Sequence, residues 1–447
     1  MKKLLRENFI EIFSILIVFV DIFYNILPVV PLSLLLIAIS LFRMGLLDLL
    51  LLSSFALPKV LGYALYTIGI SGVASLLEYA VFAICLYQWI IAKKIHFYNY
   101  KESFKYFGMT LLLFIISALI TTGGDYAITK IKDTFILGTI TLFAYGFALS
   151  NPNKCNFIRV GLYLVLFSLL MLLLAPLLNE GAGPQNFMDF GYLRRQNLYV
   201  LENETLVVSY QTVGFTATMG IGVIMLDSLK KKPNLLFVSL CLLLCIIISL
   251  YSGGRQFMVI SLAVALIWFL LQGKRGASGW LVGILGIAIV ILFISMLFED
   301  GGLLSSVKEE GYLESSNREV IMLKGINDFL NNPVFGIGFG RFEFMGRYGL
   351  YPHNIIVESL CELGVVGLLI LILISFKSVR YLLKYQTPCL YLFVVFFLRS
   401  MTSGGLDDNI IMFSFVFAVL SLKSQTVKLP KIKIDENENK RIYTSHF

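Results

Sequence analysis

The chain is written in long apolar runs separated by short polar punctuation. A bilayer-crossing helix needs about 20 predominantly apolar residues. Candidate runs fall at 9–27, 29–42, 45–65, 73–92, 106–121, 133–149, 157–178, 207–227, 234–251, 256–271, 279–298, 354–376, 387–400 and 409–422. The runs at 29–42, 387–400 and 409–422 are short, and Pro58 and Lys59 interrupt 45–65, so the pattern predicts about 12–14 transmembrane helices. They form a single integral membrane domain over 1–422, followed by a polar tail at 423–447 that is too charged to pack. Two polar intervals are long, 179–206 and 299–353. The second shows helical patterning around Asn317–Leu330, a helix stop at Asn331-Asn332-Pro333, and a glycine cluster. The predicted fold class is an all-α polytopic membrane protein. Its long, partly helical outer loop precedes the helix that His353 introduces.

Composition agrees with the pattern. Of 447 residues, 58% are hydrophobic and 14% charged, where a soluble domain carries roughly 25% charged residues. The net charge of +8 reads as topology rather than as affinity for nucleic acid. Lys2, Lys3 and Arg6, Lys93, Lys94, Lys101 and Lys105, Lys230 to Lys232, Lys274 and Arg275, and Lys377, Arg380 and Lys384 fall in alternate loops. Such loops stay in the cytoplasm, so both termini are expected there. The opposite side is richer in arginine: Arg194, Arg195, Arg255, Arg318, Arg341, Arg347 and Arg399. Arginine's planar fork grips phosphate oxygens two at a time, which hints at phosphate recognition on the outer face. The six cysteines avoid the outer loops, so no disulfide framework is expected. Cys241 and Cys245 share a helix face without a histidine and read as packing residues. No metal site and no cofactor are expected.

Several short motifs bear chemistry. Gly336-Ile-Gly-Phe-Gly340 lacks the strand and helix of a dinucleotide-binding unit and reads as a tight turn that lets backbone approach another segment. His353, between Pro352 and the helix-opening Asn354, is the sole histidine on the predicted outer face. It is a candidate general base or phosphate donor; capping or packing is the alternative. Glu358 and Glu362 lie one turn apart and share a face. They read either as an acid–base pair or as partners of an arginine on a neighbouring helix. Ser252-Gly-Gly-Arg255 pins Arg255 at the outer interface, as a pyrophosphate clamp or a snorkelling cation. Arg399 precedes Ser403-Gly-Gly-Leu-Asp-Asp408 in the last outer turn. Asp48, Glu78 and Asp227 lie in or near spans without a partner legible in the sequence.

In order, spacing and sidedness, Arg255 after Ser-Gly-Gly, Arg318 ahead of Asn332-Pro-Val-Phe-Gly-Ile-Gly-Phe-Gly340, and His353-Asn354 before Glu362-Leu-Gly-Val-Val-Gly367 resemble the O-antigen polymerase and O-antigen ligase superfamily of bacterial envelopes. The resemblance covers about residues 250–410. It implies a GT-C-like membrane fold and an inverting, metal-independent glycosyltransferase in the cytoplasmic (inner) membrane, acting on its periplasmic or extracellular side. The substrate implied is an oligosaccharide on undecaprenyl pyrophosphate, with membrane lipid around it and a chain-length regulator protein as a candidate partner. Polymerases of the superfamily join repeat units into O-antigen, capsular or exopolysaccharide; ligases move finished chains onto lipid A-core. Carried onto this chain, Arg255 and Arg318 would hold the pyrophosphate, and His353 would assist the acceptor hydroxyl or contact phosphate. Arg341, Arg347, Arg399, Asn354, Glu358 and Glu362 are further substrate-binding candidates from side and spacing alone. A flippase or transporter for the same lipid is the reading from another class.

Overall fold

The computed structural model describes residues 2–120, 125–179, 184, 192–193, 208–230, 234–271, 318–345, 347–348 and 351–424. The expected span 279–298, Arg194, Arg195, most of the outer loop 179–206, residues 299–317 of the second outer loop and the tail from 425 lie outside the described residues. Within them the chain is helical almost throughout. After a short helix Lys2–Glu7 come α1 (Phe9–Tyr24), α2 (Val29–Arg43), α3 (Leu46–Ser53), α4 (Ala56–Tyr66), α5 (Val73–Tyr87) and α6 (Tyr100–Ile120). Next are α7 (Asp125–Ser150), α8 (Phe157–Leu178), α9 (Tyr210–Leu226), α10 (Leu235–Ser252) and α11 (Arg255–Leu271). The chain ends in α12 (Arg318–Asn331), α13 (Ile355–Tyr385), α14 (Thr387–Ser400) and α15 (Leu406–Ala418). Among the described residues six helices are long and apolar enough to cross a bilayer, and a bent pair makes a seventh. The protein is an all-α polytopic membrane protein.

Three differences from the pattern have physical causes. The run 45–65 is broken into α3 and α4, bent by 70°. Phe55 leaves helical geometry, and Pro58 falls in the first turn of α4, where its missing N–H has no intrahelical partner to lose. The run read as 133–149 begins at Asp125, because Lys130 is buried inside the bundle rather than solvated. Residues Glu343–Phe344 and Arg347–Tyr348 form a small antiparallel hairpin. It presents Phe342 and Phe344 to Ile321 and Cys361 in a separate apolar cluster.

The core is built on α8, buried along nearly its whole length. It crosses α9 where Gly161 and Gly220 meet: a Cβ on Gly161 would stand 2.5 Å from the Gly220 carbonyl. Small residues at such a crossing let membrane helices approach backbone to backbone. At one end, buried Glu11 of α1 pairs with Arg43 of α2 at 2.9 Å and with Arg159 of α8 at 3.2 Å. Asp48 accepts from the Asn156 N–H, and Asp227 pairs with Lys230 at 2.6 Å, so both carboxylates have partners.

The other end holds a second buried charge cluster. Lys130 Nζ lies 2.8 Å from Glu358 Oε1 and 2.8 Å from Glu362 Oε1. All three side chains are almost fully buried. Glu358 Oε1 also accepts from the Leu406 N–H at 2.9 Å, so α7, α13 and α15 meet at one point. The ammonium sits over the Phe339 ring, 4.9 Å from its centroid.

The glycine cluster lies beside this point. α13 is interrupted at Gly364, whose φ of 68° and ψ of −175° are open essentially to glycine alone. Segment 333–338 docks into the break. Ile337 N donates to Cys361 O (2.8 Å) and Gly338 N to Glu362 O (3.0 Å). In return Val365 N donates to Pro333 O (2.9 Å) and Val366 N to Val334 O (3.2 Å). Ser117 Oγ donates to the Glu362 carbonyl at 3.1 Å and accepts from Phe339 N at 3.0 Å. Phe339 stacks on Phe114 at 4.5 Å.

Two outcomes follow. Gly364→Ala should destabilise the protein by about 1–3 kcal/mol for the backbone conformation alone, with more from contact with Val334. It should lower the thermal unfolding midpoint of the purified protein, and an unchanged midpoint would contradict the docking. Lys130→Met leaves two carboxylates without their cation and should cost about 3–5 kcal/mol. Adding Glu358→Gln and Glu362→Gln should recover part of that loss in the same melting experiment. A triple variant no more stable than Lys130→Met would show that the ion pairs are not the cause.

Candidate substrate site

The site is assembled on the turn between α14 and α15. Arg399 closes the last turn of α14, and its carbonyl accepts from Ser403 N at 2.7 Å. Gly404, at φ 80°, brings backbone so close that a Cβ there would stand 3.2 Å from the guanidinium. Arg399 is only 9% exposed. Its guanidinium carbon lies 4.2 Å from the centroid of the Phe215 ring of α9. It meets Asp408 at 3.3 Å, and that carboxylate is half exposed. Ser403 Oγ donates to Gln211 Oε1 at 2.7 Å, tying the turn to the start of α9.

His353 is mounted on the same turn through Tyr351. The Tyr351 phenol lies beside the Ser403 side chain and the Gly404 backbone. Burial pushes that phenol above its ordinary value, and the nearby Asp408 adds to the shift. The imidazole packs edge-on against the Tyr351 ring at 4.5 Å. His353 adopts φ 56°, a conformation uncommon for a side-chain-bearing residue outside turns and functional sites. Asn354 then caps α13: its Oδ1 accepts from Ile356 N at 2.9 Å and Val357 N at 3.2 Å. Its Nδ2 donates to Met401 O at 3.3 Å. The Asn354 amide is thus committed to the protein's own backbone.

The other sequence candidates fall into two groups. Glu358 and Glu362 lie further along α13, buried against Lys130, a lysine rather than the arginine expected from the sequence. Of Arg255, Arg318 and Arg347 the structure describes the backbone only. Arg255 opens α11, and Phe257, two residues on, fills the space left by Gly214 and packs on Phe215, the ring under Arg399. Arg318 opens α12, whose Gly325 rests against Pro352 and Val357 at the head of α13. Arg341 follows the glycine turn, with its N–H donating to Gly338 O at 3.2 Å. Arg347 pairs with Phe344 in the hairpin.

The structure therefore brings His353 and Arg399 to one turn, with Tyr351 between them, and brings the Arg255 backbone to the ring that carries Arg399. Tyr351, Ser403 and Gln211, which link these parts, escape sequence reasoning because each is an ordinary polar residue until the turn folds. Lys130 escapes it because its carboxylate partners are more than 200 positions away. Chemically, the arrangement offers an imidazole for proton transfer beside a guanidinium whose charge is only partly answered by Asp408.

Residues 237–372 match the family model described as O-Antigen ligase (Wzy_C). No curated protein and no solved structure matches the chain. The matched segment holds Arg255, Arg318, the glycine cluster, His353 and Glu362-Leu-Gly-Val-Val-Gly367; Arg399 lies beyond it. Over that segment the chain is similar to the O-antigen polymerase and ligase superfamily.

Proposed function

We propose that the protein is an inverting glycosyltransferase that polymerises lipid-linked oligosaccharide repeat units. It would move the glycan from undecaprenyl pyrophosphate to an acceptor sugar hydroxyl. The observation that carries this reading is the mounting of His353 and Arg399 on one turn, through Tyr351, Ser403 and Gly404. In this reading the fold is GT-C-like, both termini are cytoplasmic, and the site faces the periplasm or cell exterior. A chain-length regulator would act from outside the chain.

The donor already carries a good leaving group, so the protein need only align the acceptor and stabilise departing charge. His353 takes the proton of the acceptor hydroxyl as its oxygen attacks the anomeric carbon from the face opposite the diphosphate. The new glycosidic bond forms, the bond to the diphosphate oxygen breaks, and that oxygen leaves with the electron pair. The configuration inverts. Arg255, Arg318 and Arg399 hold the diphosphate, with Arg341 and Arg347 in supporting roles. Asn354, Glu358 and Glu362 act here by positioning His353 rather than by touching sugar. No step requires a metal.

A second reading is the ligase, which would pass the finished glycan to lipid A-core. The matching family model, O-Antigen ligase, favours it. A transporter is less well supported. It should be built from repeated halves, and the sequence shows no internal repeat.

His353→Ala and Arg255→Ala should each abolish polymer in cells while the protein level is unchanged; wild-type chain lengths in both would sink the assignment. Given defined lipid-linked units, the purified enzyme should yield a ladder of products, whereas a single transfer to lipid A-core would select the ligase. A chelator should leave activity intact, and a loss reversed by a divalent cation would refute the metal-independent mechanism.

A further inference from the structure

Lys59 is a charge at membrane depth that the mechanism has not used. It is the fourth residue of α4, just beyond the break that bends α3 from α4 by 70°. The first turn of a helix already carries partial positive charge from its free N–H groups. A lysine there opposes the helix dipole, so local helix stability does not account for it. Among the described residues Lys59 makes neither an ion pair nor a hydrogen bond; its ammonium lies over the Phe55 ring at 4.2 Å. Ionisable side chains in membrane spans are costly and usually mark a ligand path.

The ring beneath it leads to the substrate site. Phe55 packs edge-on against Phe215 at 4.7 Å, and Phe215 is the ring that carries Arg399. Two cations from different helices therefore stand on the two members of one aromatic pair. Lys59 feels the charges of Asp408 and Arg399, and more weakly that of Glu78. Asp408 is the carboxylate that already pairs with Arg399, through one contact of 3.3 Å while half exposed. One turn along α4, Tyr63 lies beside Thr212, the neighbour of the Gln211 that holds Ser403. This side of α4 is thereby joined to the turn that mounts His353.

We propose that Lys59 and Arg399 together bind the phosphate of a lipid-borne substrate, with the α3–α4 break presenting Lys59 to it. The aromatic pair spaces the two cations and excludes water between them, and the phosphate supplies the counter-charge that Asp408 cannot give to both. The inference rests on the glycosyl-transfer reading above and extends it to a residue outside the matched family segment.

The test is binding of undecaprenyl diphosphate, without sugar, to the full-length protein in nanodiscs. Lys59→Met should bind at least about tenfold more weakly than wild type, and Lys59→Arg within a few-fold of it. Thermal unfolding checks that the variants are folded, and Lys59→Gln serves as a second neutral variant should Met fail to fold. Equal affinity in wild type and the neutral variants would overturn the role of Lys59 and leave the glycosyl-transfer reading intact. Absence of binding in wild type would overturn that reading and this inference with it. Phosphatidylglycerol vesicles should compete poorly; competition equal to that of undecaprenyl diphosphate would make the site one for ordinary headgroups and overturn its assignment to substrate.

Discussion

A helix can be interrupted at membrane depth only if each backbone group it frees finds a partner within the protein. The break in α13 at Gly364 is subject to that constraint, and much of the functional end of the molecule follows from meeting it. The carbonyls of Cys361 and Glu362 and the N–H groups of Val365 and Val366 are taken by segment 333–338. That segment must enter as bare backbone, which requires glycine: a Cβ on Gly336 would stand 2.5 Å from the Cys361 carbonyl. The loop that precedes His353 is thereby locked to the helix that follows it. Helix α12, the hairpin and the head of α13 then share one apolar cluster rather than hanging as an extended loop.

The same place concentrates charge. Glu362 lends its carbonyl to Gly338 and Ser117 and its carboxylate to Lys130. Glu358 joins Lys130 to the N-terminus of α15, where a carboxylate also complements the helix dipole. A buried pair of this kind contributes little net stability compared with apolar packing, but it penalises any arrangement that separates the partners. It therefore acts more as a register device than as a source of stability. It sets α7, α13 and α15 relative to one another, and so sets the α14–α15 turn relative to the head of α13. Arg399 comes from that turn and His353 from that head.

The spans, the helix before Asn331, the capping place of Asn354 and the tight glycine turn were legible in the chain, because each is a local pattern of apolar period, cap or turn residue. The starts of the spans were less so. Lys130 and Lys132 made 125–132 look like loop, since a lysine is read as solvated unless its partner is known. The partners of Lys130 come 228 and 232 residues later. The break at Gly364 was hidden for the same reason: the sequence reads as continuous helix, and only the incoming backbone makes an interruption affordable. His353 and Arg399 were visible as an unusual histidine and a terminal arginine. Their adjacency was not, because it runs through Tyr351, Ser403 and Gly404, whose chemistry alone is unremarked.

Rigidity beneath the site and strain at its mouth complement one another. The positive φ of His353 is tolerable because the next residue, Asn354, is held by its cap and by Met401, and the imidazole packs on the Tyr351 ring. The imidazole is thus set in place before any acceptor arrives, so little ordering remains to be done on binding. Arg399 is prearranged in the same way, over the Phe215 ring and against Gly404. A transferase that relies on a ready leaving group gains most from this kind of fixed geometry. Its barrier lies in alignment and charge stabilisation, and both are supplied by groups that the fold has already immobilised.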